Sequence, residues 1–225
     1  MVDLHHFYHI YCGFDVNGKE DSWKTPVKTH IEALKKYKLM DHLSTVHIGL
    51  VGNDNHRQHA KDFLTENKIN FTVVSEAQHG WEQVTQNQLY EFAKANDGYI
   101  LYGHSKSSFN STQQNIDWCK SMVYFNVVQW RDCIDKLTDY DAIGCYWFDF
   151  SGQSPPHLGG PHVGQRWFAG TYWWSKLDKI RGIGHGPTMH TRWDAEVWIG
   201  QIPGVLAYDL TGPETQHHNA IITEW

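Results

Sequence analysis

Residues 45–74 read TVHIGLVGNDNHRQHAKDFLTENKINFTVV. Thr45 to Val51 gather β-branched and apolar residues in a short run that Gly52 closes, the pattern of a buried strand. Asn53 or Asp54 then caps a helix to about Asn67, because a short polar side chain satisfies a backbone N–H that a helix start leaves unpaired. Phe71 to Val74 is the next strand. Strand, helix and strand in this order make a crossover unit whose two strands lie parallel.

The same alternation extends both ways. Upstream, Phe7 to Cys12 mixes aromatic and β-branched residues and stops at Gly13, and a loop with Asp15, Asn17, Gly18, Asp21 and Trp23 leads to Pro26. Val27, Ile31, Leu34 and Tyr37 follow at helical spacing, and proline suits a helix first turn. Downstream come a helix from about Gln83 to Asn96, a strand at Tyr99 to Tyr102 and the loop Gly103-His104-Ser105-Lys106. A helix from about Asn115 to Leu137 and a strand at Ala142 to Trp147 complete the regular part. The fold expected is α/β: one Rossmann-like domain with a mostly parallel central sheet and an irregular, aromatic-rich C-terminal part. Ligands of such sheets gather at the carboxyl ends of the strands. Ser151 to Gly164, rich in Gly, Pro and His and without period, reads as a loop over that edge.

Composition limits what this domain does. The chain has 225 residues, 40% hydrophobic and 20% charged, enough for a substantial core without metals or disulfides. Nineteen Lys and Arg against 25 Asp and Glu leave a net charge of −6, which disfavours a nucleic-acid groove as the main feature. The four cysteines, Cys12, Cys119, Cys133 and Cys145, lie far apart with no C-x-x-C pair and read as reduced, buried thiols. No basic leader opens the sequence and no eighteen apolar residues run together, so a cytoplasmic location without a membrane span is expected, in the host cytoplasm if the source is a virus. Eleven Trp, 11 Tyr and 10 Phe are many; they serve stacking on sugars or bases, or they fill a core.

The common nucleotide fingerprints G-x-G-x-x-G and G-x-x-x-x-G-K-[ST] are missing, as is the G-x-S-x-G elbow. His104-Ser105-Lys106, at the end of a strand, is either a phosphate-holding turn or a solvated one. The histidines at 5, 6, 9, 157 and 162 lack zinc spacing, and no metal site is expected. Asp194 and Glu196 stand two apart on a helix, so only one of them points into a site. Such a carboxylate among aromatic residues suits a general base, or it is an N-terminal helix acid paired with Arg192. Asp139-Tyr140-Asp141 matches a D-x-D pattern but precedes its strand, at the wrong edge of the sheet.

Several ordered segments carry a resemblance: FYHIYC, VHIGLVG, YILYGHSKS, WCKSMVYFNVVQWRDCIDKLTDYDAIGCYW, FAGTYWWSKLDKI and RWDAEVWIG. Together they resemble glycosyltransferases of the GT-A type, in particular small glycosyltransferase-like proteins of bacterial surface-polysaccharide clusters and of viruses. The resemblance implies one GT-A-like domain over 1–225, with a nucleotide-sugar-binding half at 1–106 and an acceptor and catalytic half at 107–225. It implies a UDP- or other NDP-sugar donor, a glycan or glycoconjugate acceptor and inverting transfer. Glu196, or failing that Asp194, is the implied base. His9, Tyr11, Cys12 and Gly13 lie by the nucleotide base, and His104, Ser105, Lys106 and Arg192 complete the donor site. Trp167, Gly170, Thr171, Tyr172, Trp173 and Trp174 line the sugar and acceptor. GHSK stands where the family has its metal-holding D-x-D, so the implied divalent ion lacks its motif. A carbohydrate-binding protein without catalysis, or transfer onto a modified nucleic-acid base, are the alternatives.

Overall fold

The computed structural model describes residues 2–150 and 165–212; the expected covering loop at Ser151 to Gly164 lies outside them. The strands are β1 (Leu4–Tyr11), β2 (Leu43–Val51), β3 (Phe71–Ala77), β4 (Tyr99–His104), β5 (Ala142–Gly144), β6 (Trp147–Asp149), β7 (Arg166–Phe168), β8 (Trp173–Lys176) and β9 (Ala207–Asp209). The helices are α1 (Lys24–Lys36), α2 (Asp54–Glu66), α3 (Gln83–Ala93), α4 (Gln113–Val123), α5 (Trp130–Lys136), α6 (Leu177–Gly182) and α7 (Trp193–Val197). Seven strands form one sheet in the order β3-β2-β1-β4-β8-β5-β9, and β6 pairs with β7 beside it. Only β8 runs against the other strands of the large sheet, inserted antiparallel between β4 and β5. The protein is thus a single mixed α/β domain around a mostly parallel sheet, as the sequence pattern implies.

Neighbouring residues on a strand point to opposite faces, and both faces here are covered. Tyr8 and Ile10 of β1 pack with Val27, Ile31 and Leu34 of α1 on one side. Phe7 packs with Leu89 and Ala93 of α3 and with Trp198 on the other. The first residues of α2 follow the cap expected of them: Asn53 accepts a hydrogen bond from the His56 N–H at 2.9 Å. The four cysteines are free and buried.

Two expected elements end early. The helix predicted from Asn115 to Leu137 is interrupted by one wider turn at Tyr124–Val128, closed by the Gln129 N–H donating to the Tyr124 carbonyl at 3.2 Å. Within it Asn126 is fully buried; its amide donates to the Met122 carbonyl, and its own carbonyl accepts from the Trp174 indole at 2.8 Å. Satisfying that buried indole draws the carbonyl out of the regular ladder. The strand predicted through Trp147 stops at Gly144 because Tyr146 sits at φ 63°, a left-handed conformation that breaks a strand. Both oxygens of Asp209 hold the turn, accepting from the Tyr146 and Trp147 N–H groups at 2.9 Å.

A chain of polar groups crosses the core beneath β1. The Leu101 carbonyl can only accept, so His6 Nδ1 carries the proton of that 3.0 Å bond. In the neutral ring Nε2 then accepts from His30 Nε2 at 2.7 Å, which leaves His30 Nδ1 to accept from the Tyr172 hydroxyl. The Tyr8 ring stacks on His30 with centroids 4.3 Å apart. An added proton would set two N–H groups against each other, so burial and this geometry both favour neutral rings.

Candidate functional site

The parallel strands β3, β2, β1 and β4 end along one edge, and a cavity of about 1020 Å³ opens there. β1 and its loop contribute His9, Tyr11, Gly13 and Phe14; β2 leads into Gly52 and Asn53; the turn after β3 brings Gln78 to Glu82. The turn after β4, from His104 to Asn110, forms the floor with Trp118 of α4, and Arg192 and Glu196 enter from α7.

The floor is held by a residue that the sequence pattern does not single out. Glu82, immediately before α3, lies 2.9 Å from His104 Nδ1, while His104 Nε2 lies 2.7 Å from the Gly170 carbonyl. A carbonyl accepts only, so Nε2 donates, and Nδ1 faces the Glu82 carboxyl. Burial alone would raise the Glu82 carboxyl; its bond to His104 and the nearby His104 and His9 rings instead hold it well below the ordinary carboxylate range. His104, expected at a donor diphosphate, therefore spends both its nitrogens on the protein. His9 donates to or accepts from Thr85 Oγ1 at 2.8 Å, and burial lowers its pKa to about 4.

Lys106 is half-buried, its ammonium 4.1 Å above the Trp118 ring. It and Arg192, whose guanidinium lies 4.3 Å over Trp193, bring positive charge to the cavity. Such a pair, with a histidine whose nitrogens are both engaged, is not the donor set of a divalent ion, which takes carboxylate and carbonyl oxygens. Among the described residues no three His, Cys, Asp or Glu side chains group for a metal.

The two carboxylates of α7 separate as their spacing requires. Asp194 turns back on its own loop, accepting from the Thr188 and Thr191 hydroxyls and from the His190 and Thr191 N–H groups at 2.6–3.1 Å. These bonds outweigh its burial and lower its pKa, and it does not line the cavity. Asp194 is a loop-capping group, which corrects its reading as a reserve base. Glu196 does line the cavity, and burial raises its pKa against the opposing pull of Lys106, His104 and Arg192. Its helix is tied to α3 by two fully buried amides: Gln83 donates to the Thr191 carbonyl and Gln86 to the Ala195 carbonyl.

The aromatic run expected to line a sugar belongs to the core. Trp167, Thr171, Tyr172, Trp173 and Trp174 are all buried, and neither they nor Gly170 line the cavity. β8 is central and covered on both faces: Trp174 packs into one core cluster and Trp173 into the other, against Tyr102 at 5.2 Å. Cys12 is likewise buried, its thiol on the Val51 carbonyl. The rings at the cleft are others: Phe14, Trp81 and Phe109 line it and are 49%, 46% and 56% exposed. Isolated aromatic residues in loops gave no periodic signal that could have marked them.

A family model described as Domain of unknown function (DUF8361) matches residues 7–141, which span the strands and turns of the cleft up to α5. The chain belongs to this family. No curated protein matches it. Similar solved structures include 4-diphosphocytidyl-2C-methyl-D-erythritol synthase from Anaerococcus prevotii DSM 20548, at 11% identity and TM-score 0.42, covering 80% of this chain and 74% of that one. A second 4-diphosphocytidyl-2C-methyl-D-erythritol synthase structure shows 10% identity and TM-score 0.45 over 95% and 94% of the two chains. A cytidylyltransferase from Leptospira borgpetersenii serovar Hardjo-bovis (strain JB197) shows 9% identity and TM-score 0.38 over 82% and 64%. Among the described residues, no helix is long and apolar enough to cross a membrane.

Proposed function

We propose that the protein is a transferase of the glycosyltransferase kind, moving a sugar from a nucleotide-sugar to a hydroxyl of a glycan or glycoconjugate with inversion. The observation that carries the reading is that one cavity, at the carboxyl edge of the sheet, contains a carboxylate of raised pKa together with two cationic side chains, Glu196 with Lys106 and Arg192. In this mechanism the Glu196 carboxylate takes the acceptor hydroxyl's proton as that oxygen bonds to the anomeric carbon. The bond from the anomeric carbon to the diphosphate breaks, its electron pair leaves with the diphosphate, and Lys106 and Arg192 stabilise the charge that develops. The exposed Phe14, Trp81 and Phe109 offer faces for a base or a sugar ring.

Incubation with a panel of nucleotide-sugars, read by release of the nucleoside diphosphate, tests the reading. Release of inorganic diphosphate from a nucleoside triphosphate instead would make the chain a nucleotidyltransferase. Lys106→Ala is expected to weaken nucleotide-sugar binding by about 1.5–3 kcal/mol, the range of a hydrogen bond to a charged group, as measured by calorimetry. Because Lys106 and His104 are not a metal's donors, turnover is expected to persist in excess chelator; activity lost there and restored by manganese would contradict this.

A further inference from the structure

The turn after β4 contains three buried serines, and the hydroxyls of two of them bond within the protein. Ser105 Oγ accepts from the Tyr11 N–H at 3.0 Å, while the Ser105 carbonyl accepts from both the N–H and the hydroxyl of Ser108. The Ser108 carbonyl in turn accepts from the Ser22 hydroxyl at 2.6 Å. Ser105 N–H donates to the His9 carbonyl, and Lys106 N–H to the His104 carbonyl. The turn is therefore rigid, pinned to β1 and to the loop before α1.

Ser107 is the exception. It lines the cavity and is 7% exposed, and its hydroxyl has no hydrogen-bond partner among the described residues. Its backbone stands at φ 79°, a conformation strained for any residue but glycine. A buried hydroxyl without a partner is costly, and so is a left-handed serine; both persist where surrounding structure enforces them, often at ligand sites. The neighbouring side chain in sequence is the Lys106 ammonium, and the same cavity holds Arg192. A hydroxyl donor in a cavity that two cations also line suits an anionic oxygen of a phosphate.

We infer that the Lys106-Ser107 turn is a diphosphate-binding element in which Ser107 donates its hydroxyl to a phosphate oxygen. Ser107 adds a donor to this turn where His104 cannot, since both nitrogens of His104 are already engaged by the protein. The inference rests on the reading of the cavity as a nucleotide site, but it does not depend on sugar transfer. The ligand is a nucleoside diphosphate group or free inorganic diphosphate, and the two are separated by titration.

Calorimetric titration of the whole chain with inorganic diphosphate, UDP and uridine is the test. Wild type is expected to bind diphosphate and UDP but not uridine alone, UDP tighter if the element serves a nucleotide and no tighter if it serves the free anion. Ser107→Ala removes only the hydroxyl and is expected to weaken both anions about ten- to a hundred-fold, the range of a charge-assisted hydrogen bond. If that variant folds poorly, Ser107→Gly relieves the positive φ while still lacking the hydroxyl, and must show the same loss. Unchanged affinity in a folded Ser107 variant overturns the inference and leaves the nucleotide site standing. Failure of wild type to bind either anion overturns both, and anion binding without turnover of any nucleotide-sugar overturns only the sugar-transfer reading.

Discussion

Replacing Glu196 with Gln is expected to lower turnover by about 10²–10⁴-fold while nucleotide binding survives. The amide keeps the shape of the side chain and removes its basicity, and a positioned base is worth about that much when a hydroxyl attacks at neutral pH. Glu196 is the carboxylate of α7 that reaches the cavity, and its burial gives it the raised proton affinity a base needs. The same burial moves the acid limb of the rate profile above the ordinary glutamate range. Asp194→Asn is the control. It breaks the loop cap made with Thr188, His190 and Thr191, so it costs stability, but it leaves the base in place. Turnover unaffected by Glu196→Gln would remove the base assignment, and a product retaining the donor's anomeric configuration would remove inversion.

Acid should unfold the protein well before its carboxylates are protonated. Burial lowers the pKa of His6 and of His9 to about 4 from an ordinary 6.5, and drives His30 the same way. Between those values the unfolded chain holds a proton that the native state refuses, so the histidines' contribution is intact above pH 6.5 and is lost as pH falls toward 4. Each such group lowers stability by up to about 1.4 kcal/mol per pH unit, or about 3 kcal/mol for His6 across the window. With His6 and His9 shifted alike and His30 in the same direction, the loss is comparable to the total stability of about 5–15 kcal/mol typical of a domain. Denaturant titrations at pH 7, 6 and 5 check this. Carboxylates contribute little in that range, so a flat dependence would show that the buried rings take protons readily.

The crossover rhythm was legible because Val27, Ile31 and Leu34 repeat at helical spacing and because Gly13 and Gly52 punctuate the strands. From it followed the edge where the cavity lies. The antiparallel β8 was not legible: a central strand covered on both faces gives an unbroken apolar run, and Trp173-Trp174 carries no mark of strand direction or of burial. For the same reason an aromatic cleft and an aromatic core look alike along the chain. The separation of Asp194 from Glu196 was legible, since residues two apart on a helix cannot share a face. Glu82 was not, because its role comes from His104, which meets it only in three dimensions.

The insertion of β8 beside β4 also sets an order of assembly. β2 pairs with β1, β3 with β2, and β4 returns past both to pair with β1, so this part of the sheet can form as the chain emerges. The outer edge of β4 waits for Trp173–Lys176, which comes after three further strands and two helices of chain. Until then a nascent molecule carries a bare strand edge, the kind of surface on which unfinished chains associate with one another. The turn before β8 also delivers Gly170 to His104. Covering the sticky edge and completing the floor of the cavity are therefore one event, and a molecule still prone to aggregate is one that still lacks its site.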